Sequence, residues 1–160
     1  MKEIRFIVNG EPMAKQRPRL STFNGFARAY TPKDTLNYEN KVLMCYKNEI
    51  KDTEYEHKIM FDNEMLVVTI NAYFPLRKTD YGKKGLNKSG REKIENVYCP
   101  THKDCDNIAK IVLDALNGVC YKDDKQIVRL VITKYYTEEQ PMVEITIKDI
   151  LLTRSIVGIY

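Results

Sequence analysis

The sequence predicts an α+β fold, a single small domain that combines a mixed β-sheet of about four strands with two main helices. Its 160 residues suit one domain of ordinary size whose core needs no disulfides. Apolar runs of strand length occur at four places, and two longer runs carry apolar residues at helical spacing. Their order is β-α-β-α-β-β without an internal repeat, so residues 1–160 are expected to form one unit.

The first half of the chain supplies two strands and one helix. Residues 4–8 form a short strand-like run, which a segment rich in turn residues follows. Thr31-Pro32 marks a helix start, and apolar residues recur at helical spacing after it, so we place a helix at about 32–51. Residues 65–74 are apolar and β-branched and predict a second strand, which a proline ends.

The second half begins with the least regular part of the sequence. Residues 77–103 combine many lysines and arginines with three glycines, which predicts a mobile basic loop. A second helix is expected at about 106–117. Residues 126–137 and 141–148 predict two strands joined as a hairpin by a short turn. The apolar tail, residues 151–160, suits a further strand or a contact with another subunit.

Charge and hydropathy narrow the class of protein. The formal net charge is +4 and the sequence pI is about 8.8, a mild preference for polyanions such as nucleic acids. No apolar stretch approaches the roughly 20 residues that cross a bilayer, so no membrane partner is expected. The first residues hold no signal-peptide core, and we therefore expect a cytoplasmic protein.

Four cysteines raise the alternative of a structural zinc site. Cys99, His102 and Cys105 are spaced three residues apart, and Cys120 is the candidate fourth ligand. Zinc sites of this kind need four ligands in tetrahedral array and usually contain two close pairs, and the sequence has no CxxC pair. Reduced thiols are the favoured interpretation, with zinc left open.

The second predicted helix carries a narrow polar stripe on an otherwise apolar surface. At about 100° per residue, the polar side chains of 106–117 fall within roughly 100° of arc. They are Asp106, Asn107, Lys110, Asp114 and Asn117. Buried charge is costly unless it is paired or binds a metal, so this stripe must face water or a site.

Aspartates cluster before and after this helix. Asp106 can be interpreted as a helix N-cap, and Asp114 as an ion-pair partner of Lys110. Capping leaves Asp104 and the Asp123-Asp124 pair unexplained. In extended chain, residues two apart point the same way, so Asp104 and Asp106 can converge. Carboxylates are the ligands that Mg²⁺ prefers, which makes a metal site an alternative of similar weight.

The stretch DCDNIAKIVLDALNGVCYKDDKQIV, residues 104–128, resembles the RusA family of Holliday junction resolvases, many of them encoded by phages and prophages. The family motif is an Asp-x-Asp-Asn that opens a helix, a lysine four positions on, an Asp-Ala-Leu-Asn-Gly helix end and an Asp-Asp-x-Gln that enters a strand. Every element is present. The resemblance covers about residues 4–36 and 65–148, including Gly10-Glu11-Pro12 and Arg17-Pro18-Arg19.

The resemblance implies a RusA-like fold and a crossover junction endodeoxyribonuclease of DNA recombination and repair. Asp104, Asp106 and Asp124 take the metal-binding catalytic positions, Lys110 takes the essential lysine, and Asp123 has no certain part. The implied cofactor is Mg²⁺, with Mn²⁺ as a substitute and no small-molecule cofactor. A homodimer would nick two opposed strands of a four-way junction symmetrically. Asp124 must then reach Asp104 and Asp106, within one subunit or across two.

The basic segments suggest how DNA is held. Lys15, Arg17 and Arg19 are expected to bind phosphates, together with the 77–103 loop. Phe23, Phe26 and Tyr30 could stack on unpaired bases, although aromatic residues are more often packed under a loop. Two alternatives stay open, a nuclease for other branched DNA such as flaps and forks, and a non-catalytic basic module that binds nucleic acid.

Overall fold

The computed structural model describes residues 1–23, 26–95 and 103–150. Its helices are α1 (Lys33–Glu49), α2 (Lys88–Glu95) and α3 (Cys105–Leu116). Its strands are β1 (Glu3–Asn9), β2 (Arg19–Phe23), β3 (Phe26–Tyr30), β4 (Leu66–Pro75), β5 (Tyr81–Gly82), β6 (Gly85–Leu86), β7 (Ile127–Thr137) and β8 (Met142–Asp149). Two 3-10 turns cover Lys78–Asp80 and Asp124–Gln126.

Four strands form one mixed sheet in the order β1-β8-β4-β7. β8 lies antiparallel to both of its neighbours, and β7 lies parallel to β4. The parallel pair needs a crossover connection, which α3 provides. This confirms the predicted α+β class with a mixed four-stranded sheet, and β2–β3 and β5–β6 are additional two-stranded hairpins outside it.

The core lies between the sheet and the two main helices. β4 buries alternate side chains from Val68 to Phe74, and α3 buries the face that includes Ile108, Ile111 and Leu116. This agrees with the apolar arc predicted for the second helix. α1 turns Thr35, Tyr38, Val42 and Tyr46 inward. Leu36, which helical spacing also placed on the apolar face, is exposed instead.

The predicted hairpin of the last two strands is wrong. β7 and β8 are consecutive in the chain, but β4 lies between them in the sheet. Residues 138–141 connect them across one intervening strand, a gap of about 10 Å that four residues span easily. β8 alternates buried and half-buried side chains and pairs on both edges, so the central position suits it.

Residues 77–95 are more regular than the predicted loop. A 3-10 turn, the β5–β6 hairpin and α2 follow one another here, and residues 96–102 lie outside the described part of the chain. The cause is Asp80, which is buried with 2% of its surface exposed and organises its neighbours. A Cβ at position 90 would clash with the Asp80 carbonyl oxygen, so only Gly90 allows α2 to pack so closely.

The Asp80 carboxylate has specific partners. Its oxygens accept hydrogen bonds from Arg77 N at 2.9 Å and from Lys93 Nζ at 2.6 Å. Burial alone would raise the pKa of Asp80, but the Lys93 ammonium and the Arg77 N–H hold it below its usual value. An anion in this position is stable only while its cation is present.

We therefore expect Lys93→Met to destabilise the protein by about 3 kcal/mol, the low end of the cost of leaving a buried carboxylate unpaired. Urea unfolding monitored by circular dichroism measures this, with the highly exposed Lys88→Met as the matched control. Because the pKa of Asp80 is lowered by folding, the difference should be complete above the ordinary aspartate pKa. It should shrink as the pH falls through the lower pKa of the folded state. A pH-independent difference would exclude the ion pair as its origin.

Among the described residues, no helix combines the length and apolar character needed to cross a membrane.

Candidate functional site

Two aspartates stand at the N-terminus of α3. Asp104 is the N-cap residue, in extended conformation, and its side chain makes no capping hydrogen bond. Asp106 lies in the first turn rather than at the N-cap, so the capping interpretation of Asp106 is wrong. Both residues are exposed, and within the described part of the chain neither carboxylate has a hydrogen-bond or ion-pair partner. Two adjacent carboxylates are thus available to an external ligand.

Lys110 completes this end of the helix. It is exposed, one helical turn beyond Asp106, and it pairs with no carboxylate among the described residues. The alternative of an Lys110–Asp114 ion pair is therefore wrong, because Asp114 binds Lys15 instead. The Lys110 ammonium could therefore bind a phosphate, and the carboxylates of Asp104 and Asp106 could bind the cation that accompanies it.

The backbone in front of Asp104 is held by two lysines that the sequence did not single out. Lys103 has φ of 89°, a left-handed conformation that costs a non-glycine residue about 1–3 kcal/mol. Its Nζ donates to Glu11 Oε1 at 2.8 Å and to Pro12 O at 2.6 Å. Its carbonyl oxygen accepts from Lys134 Nζ at 3.0 Å. The first loop and β7 thus fix the point from which Asp104 projects.

Lys15 fastens the first loop to both main helices. Its Nζ bonds Glu39 of α1 at 2.9 Å and also Asp114 of α3, and its backbone N donates to Asn107 O at 2.9 Å. Burial lowers the pKa of Lys15, but the two carboxylates more than reverse this, so the pKa lies above its usual value. Glu39 and Asp114 thus neutralise the Lys15 ammonium. The contact of Lys15 with both helices anchors the first loop, which the sequence did not suggest.

Arg17 and Arg19 are exposed where the same loop leaves the helices, and neither has a protein partner among the described residues. Two of the aromatic residues beyond them, Phe26 and Tyr30, are not packed underneath the loop, contrary to the favoured expectation. Phe26 is 74% exposed and Tyr30 is 47% exposed. The side chain of Phe23 lies outside the described part of the chain.

The second acidic pair lies beyond α3, in the 3-10 turn that leads into β7. Asp123 caps this turn by accepting a hydrogen bond from Lys125 N at 3.0 Å, which lowers its pKa. Gln126 closes the turn by accepting from Asp123 N, and it also donates to Glu64 O at 3.0 Å. Asp123 therefore has a structural contact, while the exposed Asp124 is the first residue of the 3-10 turn.

Asp104 and Asp106 stand at the start of α3, whereas Asp124 lies eight residues beyond the last residue of the helix. The segment after the helix folds back on its C-terminal half, where Tyr121 Oη donates to Leu113 O at 2.7 Å. The twelve residues of α3 make the helix about 18 Å long. The described residues of one chain contain no group of three His, Cys, Asp or Glu side chains that could hold a metal ion. A single subunit does not bring the three predicted ligands together.

The donor set at the N-terminus of α3 nevertheless suits a hard cation. Mg²⁺ typically takes one or two carboxylates and completes its octahedron with waters and substrate phosphates. Asp104 and Asp106 supply two carboxylates, and among the described residues neither carboxylate has a partner that would compete with a metal ion. The zinc alternative loses its fourth ligand, since Cys120 is buried at the far end of α3 and burial raises the pKa of its thiol to about 12. Cys99 and His102 lie outside the described residues.

Comparison with known proteins gives two findings. The family model described as "Endodeoxyribonuclease RusA" matches residues 9–148. The chain is also 34% identical over 149 residues to "Uncharacterized protein YqaN" of Bacillus subtilis (strain 168), which covers 92% of this chain and 96% of that protein. The matched span includes every site residue considered above.

Proposed function

Since the chain belongs to the RusA endodeoxyribonuclease family, we propose that it resolves Holliday junctions as a Mg²⁺-dependent homodimer that nicks two opposed strands. Recombination and repair of DNA are the processes that such an activity serves. The observation that supports this proposal best is the group of unpartnered side chains at the start of α3, Asp104, Asp106 and Lys110. Exposed charges that have no partner among the described residues contribute little to stability. At a helix start that neighbouring residues hold in place, they are available to bind a substrate.

Asp104 and Asp106 would hold the cation, and Lys110 would bind the scissile phosphate. Bound Mg²⁺ supplies a Lewis acid and lowers the pKa of a coordinated water. Lys110 lies one turn from Asp106, so its ammonium can neutralise charge that develops on the phosphoryl oxygens. Lys103 and Lys134 would act through the backbone, since their hydrogen bonds hold Lys103, the residue before Asp104, in its strained conformation.

We propose that the second subunit supplies Asp124. Among the described residues, β7 is an edge strand of the sheet, and at its start Val128 and Leu130 are 52% and 42% exposed. An unpaired edge with apolar side chains favours pairing with another strand. In an antiparallel β7–β7 pair centred on Arg129, Ile127 lies opposite Val131 of the second copy, because both positions are two residues from the centre. The 3-10 turn that begins at Asp124 comes directly before Ile127, so it would lie toward residue 134 of the second copy.

This pairing would complete the metal site. Lys134 donates to the carbonyl oxygen of Lys103, which directly precedes Asp104. The strand pair would therefore direct Asp124 of one copy toward the start of α3 in the other, and the reverse, producing two equivalent sites. An isologous dimer of this kind suits the two-fold symmetry of a four-way junction.

A panel of synthetic DNAs tests the proposed activity and its substrate. Four-way junctions, flaps, forks and linear duplexes are incubated with Mg²⁺, Mn²⁺ or EDTA, and strand cutting is followed on denaturing gels. We expect paired cuts in the four-way junction with either metal and none with EDTA. Faster cutting of flaps or forks would identify the other branched-DNA nuclease. Metal-independent binding with no cutting of any substrate would instead identify a basic binding module.

Replacing both Arg17 and Arg19 with alanine should weaken DNA binding in a salt-dependent manner. Each lost phosphate contact lowers the slope of log K against log salt by about 0.9, so the slope should fall by about 2 per subunit. Fluorescence anisotropy across a salt series measures it. The matched control removes Lys51 and Lys58, two cations of the turn after α1. An unchanged slope in the arginine variant would show that these side chains contact no phosphate.

A further inference from the structure

The β2–β3 hairpin projects from the molecule with both of its faces in solvent. Every residue of β3 is exposed, as are Arg19, Leu20, Ser21 and Thr22 of β2. Its strands pair with each other and with no strand of the main sheet in the described part of the chain. A two-stranded hairpin on its own is marginally stable in water. Such an arm is expected to gain order from a ligand.

The two faces of the arm differ in chemistry. Directly opposed residues share a face, and the register pairs Arg19 with Tyr30, Ser21 with Arg28, and Phe23 with Phe26. One face therefore alternates arginine and aromatic positions. The other face pairs Leu20 with Ala29 and Thr22 with Ala27, which are smaller and uncharged. The face that carries Arg19, Arg28, Phe26 and Tyr30 is basic and aromatic, whereas the opposite face has smaller, uncharged side chains.

The positive charge of residues 12–33, which include the arm and the loop before it, favours a polyanion as the ligand. Residues 12–33 contain no aspartate or glutamate. The basic residues of this segment are Lys15, Arg17, Arg19, Arg28 and Lys33. Of these, Lys15 is neutralised by α1 and α3, and the two arginines of the arm itself remain exposed. A second copy of such an arm would be repelled, whereas nucleic acid would be attracted.

We propose that the β2–β3 hairpin binds unpaired nucleotides at the branch point of the DNA, with bases stacked on Phe26 and Tyr30 and flanking phosphates bound by Arg19 and Arg28. Exposed aromatic rings between cations are the arrangement by which proteins hold single-stranded DNA without reading its sequence. Bases at a branch point unstack more easily than bases inside a linear duplex, so this face would discriminate branched from linear DNA. The proposal rests on the proposed function for its substrate, branched DNA.

The arm extends from the same loop that lies against the start of α3. Lys15 N donates to Asn107 O, three residues after Asp104, and Arg19 begins the arm four residues later. Four residues of extended chain span at most about 14 Å. Tyr30, which pairs with Arg19 at the base of the arm, therefore lies near the start of α3 in chain terms, and Phe26 lies four strand residues farther out. Binding of the branch by the arm would then help to position the scissile phosphate.

A junction with 2-aminopurine at the branch point tests this proposal in EDTA, where no cutting interferes. Binding of the wild-type protein should quench the probe by stacking. Phe26→Ala should abolish the quenching and weaken junction binding about tenfold, with little change for a linear duplex. Phe26→Trp should restore both. The matched control, Leu20→Ala, removes an equally exposed apolar side chain from the opposite face (Leu20 is 75% exposed) and should behave as wild type.

Three results would overturn the proposal. The first is an equal loss of affinity for the junction and the linear duplex in Phe26→Ala, and the second is an equal effect of Leu20→Ala and Phe26→Ala. The third is dissociation of the dimer by Phe26→Ala in analytical ultracentrifugation, which would show that the arm is a subunit contact. Cutting of the junction by the wild-type protein in Mg²⁺ is measured in parallel. Normal cutting without quenching rejects the role of the arm alone, whereas quenching without cutting by any metal rejects the nuclease and retains the arm.

Discussion

Replacement of Asp106 by asparagine is expected to reduce strand cutting by about 100-fold or more while junction binding stays equal or becomes tighter. Loss of a residue that merely supports a metal ligand costs 10- to 100-fold in metal affinity or activity, so loss of a ligand itself should reach about the upper limit or beyond. Asparagine keeps the shape of the side chain. It removes a negative charge beside the bound phosphates, so affinity for DNA should not fall.

The measurement combines single-turnover cutting of a four-way junction with anisotropy binding in Ca²⁺ or EDTA. Glu54→Gln is the matched control, since it removes the same charge from an exposed residue whose ion pair is with Lys58. Folding is not expected to suffer in either variant, because the Asp106 carboxylate has no protein partner in the described part of the chain. Normal cutting by Asp106→Asn in Mg²⁺ would show that the metal site lies elsewhere.

Local sequence patterns were sufficient to predict the helix that carries Asp106 and Lys110. The periodicity of residues 106–117 identified α3 and its polar stripe, since burial of a helix face is a local property of spacing. The order of the strands was not accessible in the same way. Whether β8 pairs with β7 or enters between β1 and β4 depends on contacts far apart in sequence, and a short connection alone favours the hairpin.

Contacts between residues that are far apart in sequence explain the other differences between the predicted and the observed structure. The sequence could not show that Lys15 contacts Glu39 and Asp114, because these three residues lie on separate elements. The β2–β3 arm did have a local signal, since Asn24-Gly25 between β-prone residues favours a two-residue hairpin turn. The strained Lys103 had none, as its left-handed conformation follows from three hydrogen bonds to residues of the first loop and of β7.

Mixing of two inactive variants is expected to restore cutting, if Asp124 of each subunit serves the site of the other. Each homodimer of Asp106→Asn and each of Asp124→Asn should be inactive. In the heterodimer, one site contains both substitutions and the second contains neither, because Asp106 and Asp124 of one site come from different chains. Random reassociation should therefore return about a quarter of the wild-type sites. Each active dimer holds a single intact site, so the products should be single nicks rather than paired cuts.

The control mixes Asp106→Asn with Asp104→Asn. These two residues come from the same chain in every site, as both stand at the start of one α3. Each site of that heterodimer lacks one of them, so this mixture should stay inactive under the same reassociation conditions. Recovery with Asp124→Asn but not with Asp104→Asn assigns the site to two subunits. Absence of recovery in both mixtures, with heterodimers verified by mass spectrometry, would leave Asp124 without a place in the site, since the described residues of one chain contain no group of three metal-ligating side chains.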